Sequence, residues 1–353
     1  MSAAPEDTDV FGSSVPSVPS AARSNGTAIP VKVIRSTPLS RGFSVVALLA
    51  VVGLAFLPAW SNASTMRKMV ELLTFVALAQ MWNLLAGFAG VVSVGQQGFV
   101  GLGAYAMVVL VNNLHVNLYF SVFIAAIAVA FISIPMGLVA FRLRGSYFAI
   151  GTWVLAEVAS LIMKNNTSVG AGSGASIQVT TYDLATRQKA VYWLALVAGV
   201  GAIALAYGLL RSRLGLQMQA IRDNENGARG LGANVYRTRF IVWVMASFVT
   251  AMAGAIYYVS SIRVQPNASF SVVNWTAPII FMVVIGGIGT IEGPILGAIL
   301  YYFFRDRFID HVTWYTITLG VIAVAVALWL QGGLWGPLRK RGVDLFPVSR
   351  RLL

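Results

Sequence analysis

Carboxylates stranded inside apolar runs are the first residues of this sequence whose type and place could do chemistry. Glu157 lies near the middle of one run, with Ser160 about one helical turn later. A carboxylate at that depth must be protonated, hydrogen-bonded or turned toward water, and such groups can relay protons. The sequence shows no basic partner at the same depth, so a structural polar contact is the plainer expectation for Glu157. Glu71 opens another run, where an interfacial, solvated place is expected, and Glu292 sits in a glycine-rich turn as a loop or cap residue. His115 and His311 are far apart and the chain has no cysteine, which leaves no metal-ligand spacing, thiol nucleophile or disulfide. No lysine follows a glycine, so the Gly-x4-Gly-Lys-Ser/Thr phosphate loop is absent and ATP cannot be hydrolysed by that route. The glycine sets at 98–103 and 286–297 follow apolar runs and precede no βαβ pattern, so close helix packing is expected there rather than a dinucleotide site. No catalytic residue, metal site or bound cofactor is predicted.

The elements that carry these residues follow from composition. Of 353 residues, 58% are hydrophobic and 10% charged, with a mean hydropathy of +0.77. Soluble domains carry about 25% charged residues. This pattern excludes a soluble enzyme and predicts an all-α, polytopic transmembrane helical bundle. Ten apolar runs stand out, at about 42–60, 69–86, 98–113, 119–141, 145–164, 191–210, 239–261, 272–286, 293–304 and 313–331. Several are too short to cross a ~30 Å hydrocarbon core as straight helices. The short ones flank glycines, which predicts broken or re-entrant helices packed inside the bundle.

The net charge of +13 reads as positive-inside bias rather than as nucleic-acid binding, because the charges sit between apolar runs. With ten crossings and an inside N-terminus, most of the 25 Lys and Arg fall inside: Arg23, Lys32, Arg35 and Arg41 in the tail, Arg142 and Arg144 after the fourth run, and the clusters in 211–239 and at the C-terminus. The expected organisation is a disordered cytoplasmic tail over 1–41, a membrane domain over 42–331 and a cytoplasmic tail over 332–353. Within the membrane domain, 165–190 is expected outside and the basic loop 211–238 inside.

That basic loop is the most informative local feature. Leu214, Met218, Ile221 and Glu225 fall at helical spacing, as do Ala228 and Gly232, and the small residues at 227, 228, 230 and 232 leave a flat, closely approachable surface. One helix over about 216–232, docked in a partner's groove, is expected, with Glu225 pairing to a basic rim. Elsewhere, broken helices at 87–105 and 286–298 would line a translocation path and turn their N-termini toward a substrate carboxylate. The path candidates are Ser93, Gly95, Gln96, Gln97, Gly98, Gly101, Glu157, Gly287, Gly289 and Gly293. Gly98-x4-Gly103-Ala104 and Gly293-x3-Gly297-Ala298 echo each other as a decayed inverted repeat would.

Four stretches, in order, carry a resemblance. Glu225-x-x-Ala228-x-x-x-Gly232, after Gly215-Leu216-x-x-x-Ala220-Ile221-Arg222-Asp223, resembles the coupling loop of bacterial ABC importer permeases of the branched-chain amino-acid (LivM/LivH-type) family. Gly90-Val91-Val92-Ser93-Val94-Gly95-Gln96-Gln97-Gly98-Phe99 resembles that family's early segment, and Arg142-Leu143-Arg144-Gly145-x-Tyr147-Phe148 with Glu157 resembles the start of its fifth span. Gly286-Gly287-Ile288-Gly289-Thr290-x-x-Gly293-Pro294 resembles its late glycine-rich turn, and the whole match covers roughly 45–335. Gly227 stands where the family has a second alanine.

The resemblance implies a permease in the bacterial inner membrane, paired with a second permease subunit, two cytosolic ATP-binding subunits and a periplasmic binding protein. It places Arg222, Asp223, Glu225, Ala228, Arg229 and Gly232 at the contact with the ATPase, with ATP used by the partner subunits. It implies a branched-chain or other apolar amino acid as cargo. An importer for urea or short amides and an ion-coupled secondary transporter remain the alternatives.

Overall fold

The computed structural model describes residues 32–34, 38–179, 182–308, 312–330, 332–337, 345–346 and 350–352. A short strand β1 (Lys32–Ile34) precedes α1 (Pro38–Phe56), α2 (Ala63–Asn83) and a π-helical turn, Leu84–Phe88. An extended stretch leads into α3 (Gln96–Val108), which ends in a second π-helical turn, Val109–Asn113. Then come α4 (Leu118–Ala140), α5 (Ser146–Asn165), the two-residue strand β2 (Ala175–Ser176) and α6 (Leu184–Arg211). The basic loop holds α7 (Arg213–Asp223) and α8 (Glu225–Gly230), followed by α9 (Val235–Ser261), β3 (Arg263–Val264) and the single turn α10 (Pro266–Ser269). A third π-helical turn, Val272–Thr276, opens α11 (Ala277–Gly286); α12 (Glu292–Phe308), α13 (Val312–Trp329) and β4 (Arg350–Leu352) complete the order.

Five described helices are long and apolar enough to cross a membrane: Ala63–Phe88, Leu118–Ala140, Ser146–Asn165, Leu184–Arg211 and Val235–Ser261. The 23 residues of α4 span about 34 Å at 1.5 Å each, enough for the ~30 Å core. Shorter apolar stretches, Val45–Ala59, Val272–Gly286 and Ile317–Val326, accompany them. The all-α expectation is met by a helical bundle, but of the ten crossings read from the sequence only five are long, apolar candidates among the described residues. Most of 1–41 and half of 332–353 lie outside the described residues, although α1 already begins at Pro38.

Of the five long helices, α2 and α9 are the most buried, and the shorter α3 is buried along nearly its whole length. A cluster of rings joins α3, α4, α5 and α9: Phe99 meets Trp243 at 5.2 Å, and Phe141 meets Phe148 at 5.1 Å and Trp243 at 5.8 Å. Trp243 Nε1 donates to Ser133 O at 2.9 Å, so the buried indole is satisfied by α4. Small residues let backbones touch where the sequence put its glycines. A Cβ on Gly103 would overlap Ala251 O of α9, and one on Gly297 would overlap Met282 O of α11.

The loop expected outside, 165–190, is held by backbone pairing. β2 pairs antiparallel with β3, and Asn112, at the end of α3, donates to Ser176 O at 2.9 Å and accepts from Gln178 N at 2.9 Å. The loop ends earlier than the sequence suggests. Asp183 accepts from Thr186 N at 3.0 Å and starts α6 at Leu184, a helix the hydropathy pattern places at 191 because its first turns are polar.

Candidate functional site

Ser212, Asn224 and Asn234 punctuate the basic loop between α6 and α9. Ser212 Oγ accepts from Gly215 N at 3.4 Å and opens α7; Asn224 Oδ1 accepts from Gly227 N at 2.9 Å and opens α8; Asn234 Oδ1 accepts from Arg237 N at 2.9 Å and opens α9. The single helix expected over 216–232 is therefore two. Asn224 is extended at φ −155° and ψ 100°, its side chain caps the helix that follows, and Gly227 and Gly230 are weak helix formers. At the far end Gly232 takes φ +85°, and Ala233 N donates to Ala228 O at 3.0 Å to close α8.

This geometry redistributes the expected contact residues. Ala228 is not on the loop surface; its methyl is buried with Ile221 and Val235 in a small core of the loop itself. Glu225 does not wait for a partner's basic rim, because its Oε1 accepts from Arg229 at 2.6 Å and its Oε2 from Arg239 at 2.9 Å. Partial desolvation opposes ionisation of Glu225, but Arg239 and Arg229 outweigh it and hold the carboxyl below its usual range. Asp223 accepts from Arg222 Nε at 3.1 Å. The most exposed apolar group of the loop is Leu231, 89% exposed at the apex between Gly230 and Gly232. The sequence reading passed over it, although a leucine between two glycines in a charged loop was a signal.

Arg222, expected among the docking residues, also reaches inward. Its Nη1 donates to Gly87 O at 3.0 Å, at the π-helical end of α2, and Arg239 Nε donates to Ala89 O at 3.2 Å. Gly289 lies alongside: a Cβ there would stand 3.2 Å from Arg222 Nη1. Asn83 stitches the same turn to α2, accepting from Gly289 N at 2.8 Å and donating to Thr290 O at 2.7 Å. The three motifs that look separate in sequence, around Gly87, Arg222 and Gly289, thus meet at one junction.

The path candidates at the start of α3 are buried and closely packed. Trp82 Nε1 donates to Ser93 O at 2.8 Å, and Ser93 Oγ accepts from Gly95 N at 3.3 Å. Val94 N donates to Thr152 Oγ1 at 3.1 Å and Gln97 N to Thr276 Oγ1 at 3.1 Å, so hydroxyls occupy N–H groups expected to face a cargo carboxylate. Gln96 Oε1 accepts from Thr250 at 3.2 Å and Gln97 Oε1 from Thr276, while the Nε2 atoms of both glutamines have no partner among the described residues. A Cβ on Gly98 would stand 2.8 Å from Ala156 Cβ, and one on Gly101 would stand 2.6 Å from the Phe270 ring. Gly287 and Gly293 are likewise packed against each other's turn. The arrangement is a closed joint between helices.

The acids resolve differently from their sequence reading. Glu157 is exposed on α5 and Ser160 is buried, so the two do not meet; the carboxylate instead lies 3.9 Å from Lys164 Nζ, two turns on. Glu71 is not merely solvated, since it pairs with Arg305 of α12, whose guanidinium lies 5.5 Å from the centre of the Phe75 ring. Glu292 Oε1 accepts from the backbone N–H of Leu345 at 3.1 Å and of Phe346 at 3.0 Å, pinning part of the C-terminal segment.

A family model described as "Branched-chain amino acid transport system / permease component" matches residues 62–334. The chain is 25% identical over 287 residues to the high-affinity branched-chain amino acid transport system permease protein LivM of Escherichia coli (strain K12), covering 74% of this chain and 67% of that one. It is 26% identical over 166 residues to the probable branched-chain amino acid transport permease protein LivM of Methanocaldococcus jannaschii, covering 45% of this chain and 47% of the relative. It is 28% identical over 289 residues to the autoinducer 2 import system permease protein LsrC of Enterobacter sp. (strain 638), covering 79% of this chain and 80% of the relative.

Proposed function

We propose that this chain, which belongs to the branched-chain amino acid transport system permease family, is one of two permease subunits of an ATP-driven importer for a branched-chain or other apolar amino acid. The observation that carries the reading is the loop between α6 and α9. It is basic and built on two short helices, and it presents Leu231 outward while Arg222 and Arg239 grip the break between α2 and α3. A surface of that kind receives movement from outside the membrane and passes it in. With no phosphate loop in the sequence, the ATP is hydrolysed by two separate cytosolic subunits, and a periplasmic binding protein delivers the cargo.

Ten membrane segments with both termini in the cytoplasm fit the charge bias and the pairing of β1 with β4, which joins the two ends of the chain. Cargo differs among relatives, two named for branched-chain amino acids and one for autoinducer 2. Urea or a short amide stays open as an alternative cargo. An ion-coupled carrier is the competing mechanism, and the Glu157–Lys164 pair, half-exposed on α5, offers it only a single carboxylate.

The deciding measurement is uptake of radiolabelled leucine into proteoliposomes holding the whole complex, with ATP available to its ATPases and the binding protein present. Uptake that requires ATP and persists without an ion gradient is expected. Uptake driven by a proton or sodium gradient alone would overturn the reading. Orientation is tested separately by Ser173→Cys, which puts a thiol in a chain without cysteine at an exposed position of the 165–190 loop. An impermeant maleimide should label it in intact spheroplasts; labelling only after permeabilisation would invert the topology.

A further inference from the structure

We infer that Arg222 and Arg239 are the residues that carry movement of the basic loop into the membrane domain, acting as a two-point tether on the break between α2 and α3. The inference rests on the importer reading and says which side chains transmit the stroke.

Both anchors are backbone carbonyls where regular helical bonding runs out. The π-helical turn after α2 ends with Ala89 N donating to Leu84 O at 3.1 Å and Val91 N to Leu85 O at 2.9 Å, so the Gly87 and Ala89 carbonyls are not used by the helix that precedes them. Arg222 fills one at 3.0 Å and Arg239 the other at 3.2 Å. These are charge-assisted bonds from a planar group that can hold two partners at fixed angles. Arg239 uses that geometry fully: Nε goes to Ala89 O and Nη1 to Glu225, so one guanidinium joins the break to the first turn of α8. Arg222 ends α7 and bonds Asp223 as well as Gly87.

Both short helices of the loop are therefore gripped at the hinge between them, around Asn224. On the other side, the segment from Ala89 runs without regular helix to Gln96, where α3 begins against Thr250 of α9 and Thr276. Displacement at the loop is thus applied to the unwound stretch that leads to the buried start of α3. Gly90, at φ +68°, turns the chain beside Arg222: a Cβ there would lie 3.5 Å from the Arg222 Cα, in ordinary van der Waals contact.

The test compares transport with hydrolysis in the complete complex in proteoliposomes. Arg239→Gln should assemble with the ATPases and hydrolyse ATP near the wild-type rate; Arg222→Gln, at a residue also expected at the ATPase contact, is compared only as assembled complex. Leucine taken up per ATP should fall at least about tenfold, within the range of measured coupling between sites. An unchanged ratio overturns the tether, and so does a loss of assembly that lowers uptake and hydrolysis in proportion. The wild-type sample separates the two ideas: no ATP-dependent leucine uptake there refutes the amino-acid importer reading, whereas wild-type coupling in the variants refutes only the tether.

A second variant compares one protein with itself before and after oxidation, and it is scored only as monodisperse, ATP-hydrolysing complex because φ +68° at Gly90 strains a side chain there. In Gly90→Cys/Arg222→Cys the Cβ atoms would lie about 3.7 Å apart, inside the disulfide range, in a chain with no other cysteine. The reduced form should hydrolyse ATP without uptake, and oxidation should restore uptake by replacing the tether covalently. Oxidation that leaves uptake unchanged or lowers it overturns the proposal.

Discussion

Leu231→Asp should abolish docking of the ATPase subunit and with it uptake, while the permease itself still accumulates in the membrane. Leu231 is 89% exposed, sits at the loop apex and makes no contribution to the loop's buried core of Ile221, Ala228 and Val235. The substitution therefore leaves the fold alone. Burying a leucine side chain in a partner's groove contributes about 1.5–3 kcal/mol. Removing that alone weakens docking roughly 10- to 100-fold. An aspartate in the same groove adds the cost of desolvating an unpaired carboxylate, so the combined loss exceeds the leucine contribution. Co-purification of the ATPase with tagged permease is the measurement. Full recovery with Leu231→Asp would move the docking surface elsewhere. Gly232→Trp is a poorer probe, because φ +85° at Gly232 strains any side chain whether or not a partner is present.

Gly103→Leu should prevent the membrane domain from assembling at all, whereas Gly101→Leu should leave an assembled but slower permease. Both glycines lie on α3, two residues apart, and both touch a neighbour; the neighbours differ in what can yield. A Cβ on Gly103 would overlap the backbone of Ala251, so α3 and α9, two helices of the central bundle, must separate. A Cβ on Gly101 would meet the ring of Phe270, stacked on Tyr105 at 6.0 Å, and a side chain can turn aside at modest cost. Overpacking typically costs about 1–3 kcal/mol when side chains absorb it and more when backbone must move. The yield of detergent-extracted, monodisperse protein should fall at least about tenfold for Gly103→Leu, a loss of more than ~1.4 kcal/mol. For Gly101→Leu it should stay within about threefold of wild type, with reduced leucine uptake. Equal yields from the two variants would refute the distinction between backbone and side-chain neighbours.

Much of the architecture is legible without coordinates. Apolar runs mark α2, α4, α5, α6 and α9, because a helix must bury its own backbone bonds to lie in a membrane and so announces itself by length and hydropathy. Positions of caps are less legible. Asp183 and Asn224 are ordinary loop residues in the sequence, yet one lengthens α6 into the polar 165–190 segment and the other divides the helix expected over 216–232 in two. A capping side chain competes with the helix locally, and periodicity does not register which of them wins.

The acids show the same boundary. Sequence spacing offered Ser160 as the neighbour of Glu157, but Ser160 is buried and Glu157 exposed, and the carboxylate lies nearest Lys164, two turns further along α5. Glu71 and Arg305 are more than two hundred residues apart and pair only because α2 and α12 are packed together.

Composition and spacing alone settle the class of molecule: a helical membrane bundle carrying a basic loop and glycine breaks in the order of a known permease family. Hydropathy, charge and the types of side chains present are properties of single residues, and they survive reading in one dimension. Packing in three dimensions turns Ala228 inward and Leu231 outward, and it brings Arg222 and Arg239 to the carbonyls of Gly87 and Ala89. A backbone carbonyl looks alike at every residue. Which carbonyl a distant arginine will find is fixed by how the helices between them pack, and that packing brings Gly87, Arg222 and Gly289 to a single point.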